Sequence, residues 1–247
     1  MNYLAFFNRT QVSKTKTPFQ TFIKENNMQK NIFQFLAITL FAFGCNANQQ
    51  SNSGDAPSFD SNSTLENVET NAVAYFASGC FWCVEAVFES VEGVGDVISG
   101  YSGGKKATAN YSAVSAGRTD HAESVAVHYD STKIDYPTLL KVFFGSHDPT
   151  TLNQQGPDRG TQYRSAIFYR NAKEKELAQN YIQTLLSNKI FPQITTEVVS
   201  FEAFYPAEDY HQNYERRNPN NGYVRSVSIP RLNRFKSKFP ELLKQNH

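Results

Sequence analysis

The stretch Gly79-Cys80-Phe81-Trp82-Cys83-Val84-Glu85 constrains this chain most, because it gathers two of the three cysteines and the only tryptophan at a change of local order. An apolar segment at residues 72–77 leads into it as a strand. A helical pattern leaves it, with Val84, Val87, Phe88 and Val91 at i, i+3, i+4 and i+7. Gly93 and Gly95 follow at positions suited to closing that helix. Cys80 therefore falls where a strand ends and a helix begins. Unpaired N–H groups and the positive end of the helix dipole favour an anion there, so a depressed pKa and a nucleophilic thiolate are expected at Cys80. Cys83 lies about one turn further along the same face.

At 247 residues the chain is one large domain or two small ones, and 40% apolar and 14% aromatic content is ample for a core. The net charge of +1 hides an uneven distribution. Residues 1–45 carry Arg9, Lys14, Lys16, Lys24 and Lys30 against Glu25 alone. The remainder holds 19 basic and 22 acidic residues, a net charge of −3, which lacks the clustered basic surplus of a nucleic-acid binder. Three cysteines, two of them three apart, do not form the framework of a disulfide-stapled secreted scaffold.

Residues 32–43 form an apolar run broken only by Gln34 and Thr39. A membrane-spanning helix needs roughly twenty residues, so the run suits the h-region of an export signal better, with a buried helix of the fold as the alternative. It ends in Ala42-Phe43-Gly44-Cys45 and resembles a bacterial lipoprotein signal, in which the cysteine becomes lipidated and N-terminal. Ala42 stands where that pattern usually has leucine, and bulky Phe43 is unusual. Read from Met28, with Lys30 as its basic start, the signal has a compact length, so Met28 is taken as the start. Residues 1–45 are thus assigned as leader with lipidation at Cys45. Residues 46–71, rich in Asn, Ser, Gln and Asp, are a flexible linker. Residues 72–240 are the catalytic domain and 241–247 a tail. The expected location is an exported, membrane-anchored lipoprotein facing the periplasm or cell exterior of a bacterium, its only membrane contact being the lipid.

Further along, residues 97–101 read as a strand running into the loop Gly103-Gly104-Lys105-Lys106, which reaches Asn110-Tyr111. Residues 121–130 alternate, with Glu123, Val125, Val127 and Tyr129 on one face. That face is the buried one, which would desolvate Glu123 and raise its pKa; a strand-end glutamate reaching water is the equal alternative. Pro137 opens a helix through Phe144. A long polar loop from His147-Asp148-Pro149 to Arg164 has the length of a functional segment. Residues 165–169 and 195–201 read as strands, 172–186 as a helix, and 231–244 as a basic amphipathic tail, docked or solvated. Strands and helices in irregular order indicate an α+β fold, a single domain with a mixed β-sheet flanked by helices around a ferredoxin-like core.

From the residues alone, Cys80 and Cys83 admit several roles. They could be an inert or disulfide-linked core pair. They could bind zinc with two of His121, His128, His147 and His211, although these histidines lack ligand spacing. They could form the C-x-x-C of a thiol–disulfide oxidoreductase, which leaves the Phe-Trp pair and the domain size unexplained.

A resemblance orders these readings. Gly79-Cys80-Phe81-Trp82, Gly100-Tyr101-Ser102-Gly103-Gly104, His121-Ala122-Glu123, His147-Asp148-Pro149, Gly160-Thr161-Gln162-Tyr163-Arg164-Ser165, and Tyr210-His211-Gln212-Asn213-Tyr214 with Asn218-Pro219-Asn220 occur in this order. The chain resembles the A-type peptide methionine sulfoxide reductases from about residue 73 to 239. The resemblance implies reduction of methionine S-sulfoxide, protein-bound or free, in the repair of oxidised proteins. Cys80 would attack the sulfoxide sulfur and become a sulfenic acid, Glu123 would supply the proton, and Tyr111 and Tyr163 would orient the oxygen. Phe81 and Trp82 would wall in the methyl group, with Asp158, His211, Tyr214 and Tyr223 lining the pocket. No cofactor or metal is implied, only an external thioredoxin-type or dithiol reductant, and a monomer is expected.

Many relatives resolve the sulfenic acid with a cysteine just after the tyrosine matching Tyr223; here that residue is Val224, and no cysteine follows Cys83. Cys83 is then the internal resolver, at a helical Cα separation of about 5–5.5 Å that a disulfide accepts; direct reduction of Cys80 by an external thiol is the alternative. The only methionines are Met1 and Met28, so the domain itself contains none.

Overall fold

The computed structural model describes residues 72–245; the leader, Cys45 and the 46–71 linker lie outside the described residues. The elements that position the site are β1 (Ala72–Ser78), α1 (Phe81–Glu89), β2 (Val94–Ser102), α2 (Tyr111–Ser115), β3 (Ala122–Tyr129), α3 (Tyr136–Ser146), β4 (Gln154–Gln155), β5 (Asp158–Arg159), β6 (Ser165–Tyr169), α4 (Ala172–Ser187), β7 (Glu197–Ser200), β8 (Phe204–Pro206), α5 (Tyr214–Arg217) and α6 (Ile229–Lys238). The main sheet runs β7-β6-β1-β3-β2-β8. All its neighbours are antiparallel except β6 and β7, so the sheet is mixed. Its inner four strands, taken with α1 after β1 and α3 after β3, give the β-α-β-β-α-β split arrangement of a ferredoxin-like core.

The central strand β1 sends alternate side chains to opposite layers. Phe76 stacks on Phe88 of α1 and on Phe143 of α3, both at 5.2 Å between ring centres, and so joins the two helices to the sheet. Its neighbour Tyr75 faces the other way and stacks on Phe201 at 4.0 Å, beside a cluster of Ala77, Ala122, Ala166 and Phe168. Side-chain caps fix where the helices begin: Asp135 accepts from Thr138 N at 2.8 Å ahead of α3, and Asn171 accepts from Glu174 N at 2.9 Å ahead of α4.

Several boundaries differ from the sequence reading. Helix α1 ends at Glu89, where Ser90 Oγ donates to Val87 O at 2.7 Å, so Val91 is buried beyond the helix and bridges to Leu243. Gly93 makes the turn at φ +83°, but Gly95 lies inside β2 and closes nothing. The long polar loop is not without structure, since β4 and β5 pair within it. The strand expected over 195–201 narrows to β7, because Thr195 N turns aside to donate to Pro149 O at 2.8 Å. The basic tail is docked. It forms α6 behind a π-helical turn at Val224–Ser228, with Arg231 5% and Phe235 1% exposed. Beyond it, Lys244 N donates to Ser90 O at 3.0 Å and Glu92 N to Leu242 O at 2.8 Å.

Gly145 of α3 is where the C-terminal segment comes closest to this core, because a Cβ there would collide with the Phe239 ring. Gly→Ala inside a helix normally gains about 1 kcal/mol. Gly145→Ala is instead expected to destabilise by about 1–3 kcal/mol, as overpacking does. Urea unfolding measures it, and an unchanged or raised midpoint would contradict the docking of Phe239 on α3.

Candidate active site

The site is built at the first turn of α1. Gly79 takes φ +89° to swing the chain out of β1, and a Cβ there would meet the Gln155 side chain at 2.6 Å. Cys80 is the N-cap, its carbonyl accepting from Cys83 N at 3.1 Å and Val84 N at 3.4 Å. The next free N–H of the helix, that of Phe81, donates to Glu123 Oε2 at 3.1 Å. This bond decides between the two sequence readings of Glu123, whose side chain reaches the helix terminus instead of water and is 2% exposed. Burial, assisted by the nearby Asp158 and Cys83 charges and opposed by the Phe81 N–H, raises its pKa to about 8.

The cysteines correct one expectation. Both are free and buried, but Cys80 is not the one with the depressed pKa. Burial pushes the Cys80 thiol well up, as do its hydrogen bond to Cys83 and the neighbouring Glu123 charge. Cys83 is held down at about 6 by the hydrogen bond from Cys80, with burial opposing and the Arg231 guanidinium and the Ser228 and Tyr223 hydroxyls assisting. The helix terminus favours an anion at Cys80, but desolvation and the second sulfur outweigh it in the resting pair.

Around the sulfurs stand the aromatic residues. Tyr111 opens α2, its N–H donating to Glu208 Oε1 at 2.9 Å. Tyr163 closes a short 3-10 turn after Gly160. Burial raises both phenols, and the charges of Glu123 and Cys80 raise them as well. Phe81 is fully buried against His211 at 5.0 Å and Tyr101 at 5.9 Å. Trp82 stacks on Tyr214 at 3.7 Å and meets Tyr223 edge-on at 5.9 Å. Its Nε1–H donates to His211 Nδ1 at 3.1 Å, which leaves the imidazole proton on Nε2. Tyr223 OH donates to Asp158 Oδ2 at 2.5 Å and lies 3.8 Å from Cys83 Sγ. The pocket residues named from the resemblance thus converge on one end of α1.

The histidines of the zinc reading are engaged elsewhere. His121 pairs with Lys105 O at 3.1 Å, and His147 with Phe143 O at 2.7 Å and Ser165 Oγ at 2.8 Å. Among the described residues no cluster of three or more His, Cys, Asp or Glu side chains is placed to hold a metal ion.

Sequence reasoning missed the residues that hold this arrangement in place. Glu85, 2% exposed, accepts from Ser99 Oγ at 2.6 Å and from Asn213 N at 2.5 Å, tying α1 to β2 and to the segment carrying His211 and Tyr214. Gln212 does the same from the other side, pairing with Ser99 N, Ser99 O and Ala207 O at 2.9–3.0 Å. Glu208 bonds both Tyr101 OH, at 2.8 Å, and Tyr111 N. The available signal was a charged residue on the apolar side of a helix next to the motif. Burial raises Glu85 to about 7.

Both raised carboxyls bind their protons more tightly folded than unfolded, so stability falls as pH rises from 4.5 to about 8. Glu85→Gln, which mimics the protonated form, is expected to flatten the part of that fall below about 7 and leave the part due to Glu123. Urea midpoints across this range test it, and an unchanged slope would exclude Glu85 as a source.

Three comparisons bear on this arrangement. A family model described as peptide methionine sulfoxide reductase matches residues 72–243. The peptide methionine sulfoxide reductase MsrA 2 of Synechocystis is 50% identical over 190 residues, 76% of this chain and 89% of that protein. Among solved structures, reduced Mxr1 from Saccharomyces cerevisiae aligns with TM-score 0.57 at 32% identity, covering 62% of this chain and 88% of the other. Methionine sulfoxide reductase A of Corynebacterium diphtheriae aligns with TM-score 0.55 at 33% identity, covering 64% and 80%.

Proposed function

We propose a mechanism for this chain on one premise: it belongs to the peptide methionine sulfoxide reductase family and is an enzyme that reduces methionine sulfoxide to methionine. The observation that carries the assignment of roles is the bond from Phe81 N–H to Glu123, which brings a carboxyl protonated below about pH 8 to the same helix turn as Cys80. A sulfoxide entering this space meets a thiol, an acid and two phenols. Cys80 passes its proton to Cys83 and attacks sulfur as the thiolate, while Glu123 protonates the oxygen. In the adduct the S–O bond breaks as the hydroxyl passes to the Cys80 sulfur, and the bond between Cys80 and the substrate sulfur breaks with its electron pair on the substrate, giving a sulfenic acid and the thioether. Tyr111 and Tyr163 donate to the oxygen as charge builds on it. Phe81 and Trp82 hold the methyl group, with Trp82 fixed by its stack on Tyr214 and its bond to His211.

Cys83 then attacks the sulfenic sulfur. As the S–S bond forms, the proton Cys83 took from Cys80 passes to the departing hydroxide, which leaves as water, and an external dithiol of thioredoxin type reduces the disulfide. The substrate is the S epimer, protein-bound or free, and the enzyme acts as a monomer. Assayed on both epimers, the wild-type protein is expected to consume the S form alone. Cys80→Ser abolishes turnover. Cys83→Ser keeps turnover with dithiothreitol and loses it with thioredoxin; equal turnover with both reductants would rule out the Cys83 relay.

The same proposal includes an address outside the described residues, namely export from a start at Met28 and lipidation of Cys45. Mass spectrometry of the N-terminal peptide of the exported protein is expected to give a diacylated Cys45. An unmodified N-terminus upstream of Cys45 would exclude it.

A further inference from the structure

Tyr111 carries a hydroxyl that the fold leaves open. Its backbone is bonded on both sides, Tyr111 N donating to Glu208 Oε1 at 2.9 Å and Tyr111 O accepting from Ser115 Oγ at 2.6 Å, but its phenol has no hydrogen-bond partner among the described residues. A hydroxyl kept free for an incoming oxygen cannot be placed by a bond of its own, so it has to be placed from its base. That base is slight. Helix α2 has five residues, of which only Val114 is buried, and its cap Asn110, bonded from Ala113 N at 3.0 Å, belongs to the same exposed loop. A helix this short does not hold itself. Gln162 Nε2 fastens its far end, donating to Ser115 O at 3.1 Å. Within residues 106–113 the bond to Glu208 is the only hydrogen bond, among the described residues, that leaves the 105–118 segment.

Glu208 is itself fixed from two sides. Its second carboxylate oxygen accepts from Tyr101 OH at 2.8 Å, and Tyr101 is fully buried on β2 opposite Glu123 of β3. Its carbonyl accepts from His211 N at 2.8 Å, and the His211 ring packs on the Tyr111 ring at 4.3 Å. These contacts close on themselves: the carboxylate holds the Tyr111 backbone, the imidazole holds the face of its ring, and both come from residues 208–211. Among the described residues Glu208 forms no ion pair, so its two hydrogen bonds are what engage the carboxylate. We propose that Glu208 is a positioning residue for the reductive step, acting through Tyr111 by holding that phenol where the sulfoxide oxygen arrives. This rests on the reading of Tyr111 as a donor to that oxygen. The demand on placement is strict, because a misplacement of about 1 Å can cost about a hundredfold in rate.

The test is a mutant cycle read as methionine release in a single turnover at saturating methionine S-sulfoxide, a readout independent of Cys83 and of the reductant. Tyr111→Phe is expected to slow release by about tenfold or more, as loss of an oxygen-binding donor does. Glu208→Ala is expected to slow it by about tenfold. Glu208→Ala added to Tyr111→Phe is expected to cost nothing further, because the group it places is gone. Glu208→Gln restores most of the rate, its amide oxygen accepting from Tyr111 N and its amide N–H donating to the Tyr101 oxygen. Losses that multiply in the double variant overturn the proposal, since a general loosening of the fold acts with or without the phenol. A wild-type rate in Glu208→Ala overturns it too. Amide exchange in the unaltered protein is expected to be slower at Tyr111 than at Ser112, whose N–H is unbonded among the described residues. Equal exchange at the two overturns the clamp even if Glu208→Ala does not fold. If Tyr111→Phe alone releases methionine at the wild-type rate, the reading of Tyr111 is what fails, and the role of Glu208 falls with it.

Discussion

The hydrogen bond from Phe81 N–H to Glu123 is the point on which the chemistry of this fold turns. It joins the first turn of α1 to the start of β3 and brings an acid and a nucleophile into one dry space. A hydrogen bond to a charged group contributes about 1.5–3 kcal/mol, whereas taking a carboxylate out of water costs several kcal/mol even after relaxation. Desolvation therefore wins, and the group rests as a neutral acid until about pH 8. The same burial that keeps Glu123 a neutral acid makes Cys80 a reluctant thiolate.

That arrangement survives only because the C-terminal half of the chain is fastened to it. Glu85 and Gln212 bond from opposite sides to β2 and to the segment carrying His211 and Tyr214, and Trp82 is held between those two rings. Asn213 takes a left-handed φ of +54° to deliver its N–H to Glu85. Each of these contacts joins residues more than a hundred positions apart, except the bonds of Glu85 to Ser99 and of Gln212 to Ala207. The pocket is thus a property of the completed domain, with the α1 motif as its seed.

Much of this was legible in the chain. The turn from strand to helix at Cys80 and the α+β class follow from local periodicity, whereas alternation along β3 left the burial of Glu123 open, since both faces of that strand are buried. The pocket aromatics were identified by resemblance, since nothing local separates Tyr111 or Tyr163 from the other tyrosines. The direction of the Cys80 pKa was misjudged because a helix-terminus argument considers one field and leaves out desolvation and the second sulfur. Arg231 was hidden for a different reason. Among Arg234, Lys236 and Lys238 it reads as one more solvated charge, and only the buried stripe Val224, Ser228, Arg231, Phe235 reveals which face of the tail turns inward.

The spacing of Cys80 and Cys83 on one helical turn bears on the pace of the catalytic cycle. A resolving thiol carried on a mobile tail must find its partner anew in each turnover, at an effective concentration set by tether length. In the relay proposed for Cys83 no segment has to travel, because the backbone that holds one sulfur also holds the other, with Cys83 N bonded to Cys80 O. The encounter is close to unimolecular, its entropy already spent when the helix folded. Under that proposal the sulfenic acid is intercepted by a neighbour that is always present, which shortens the time during which a second oxidant could carry Cys80 on to an irreversible state.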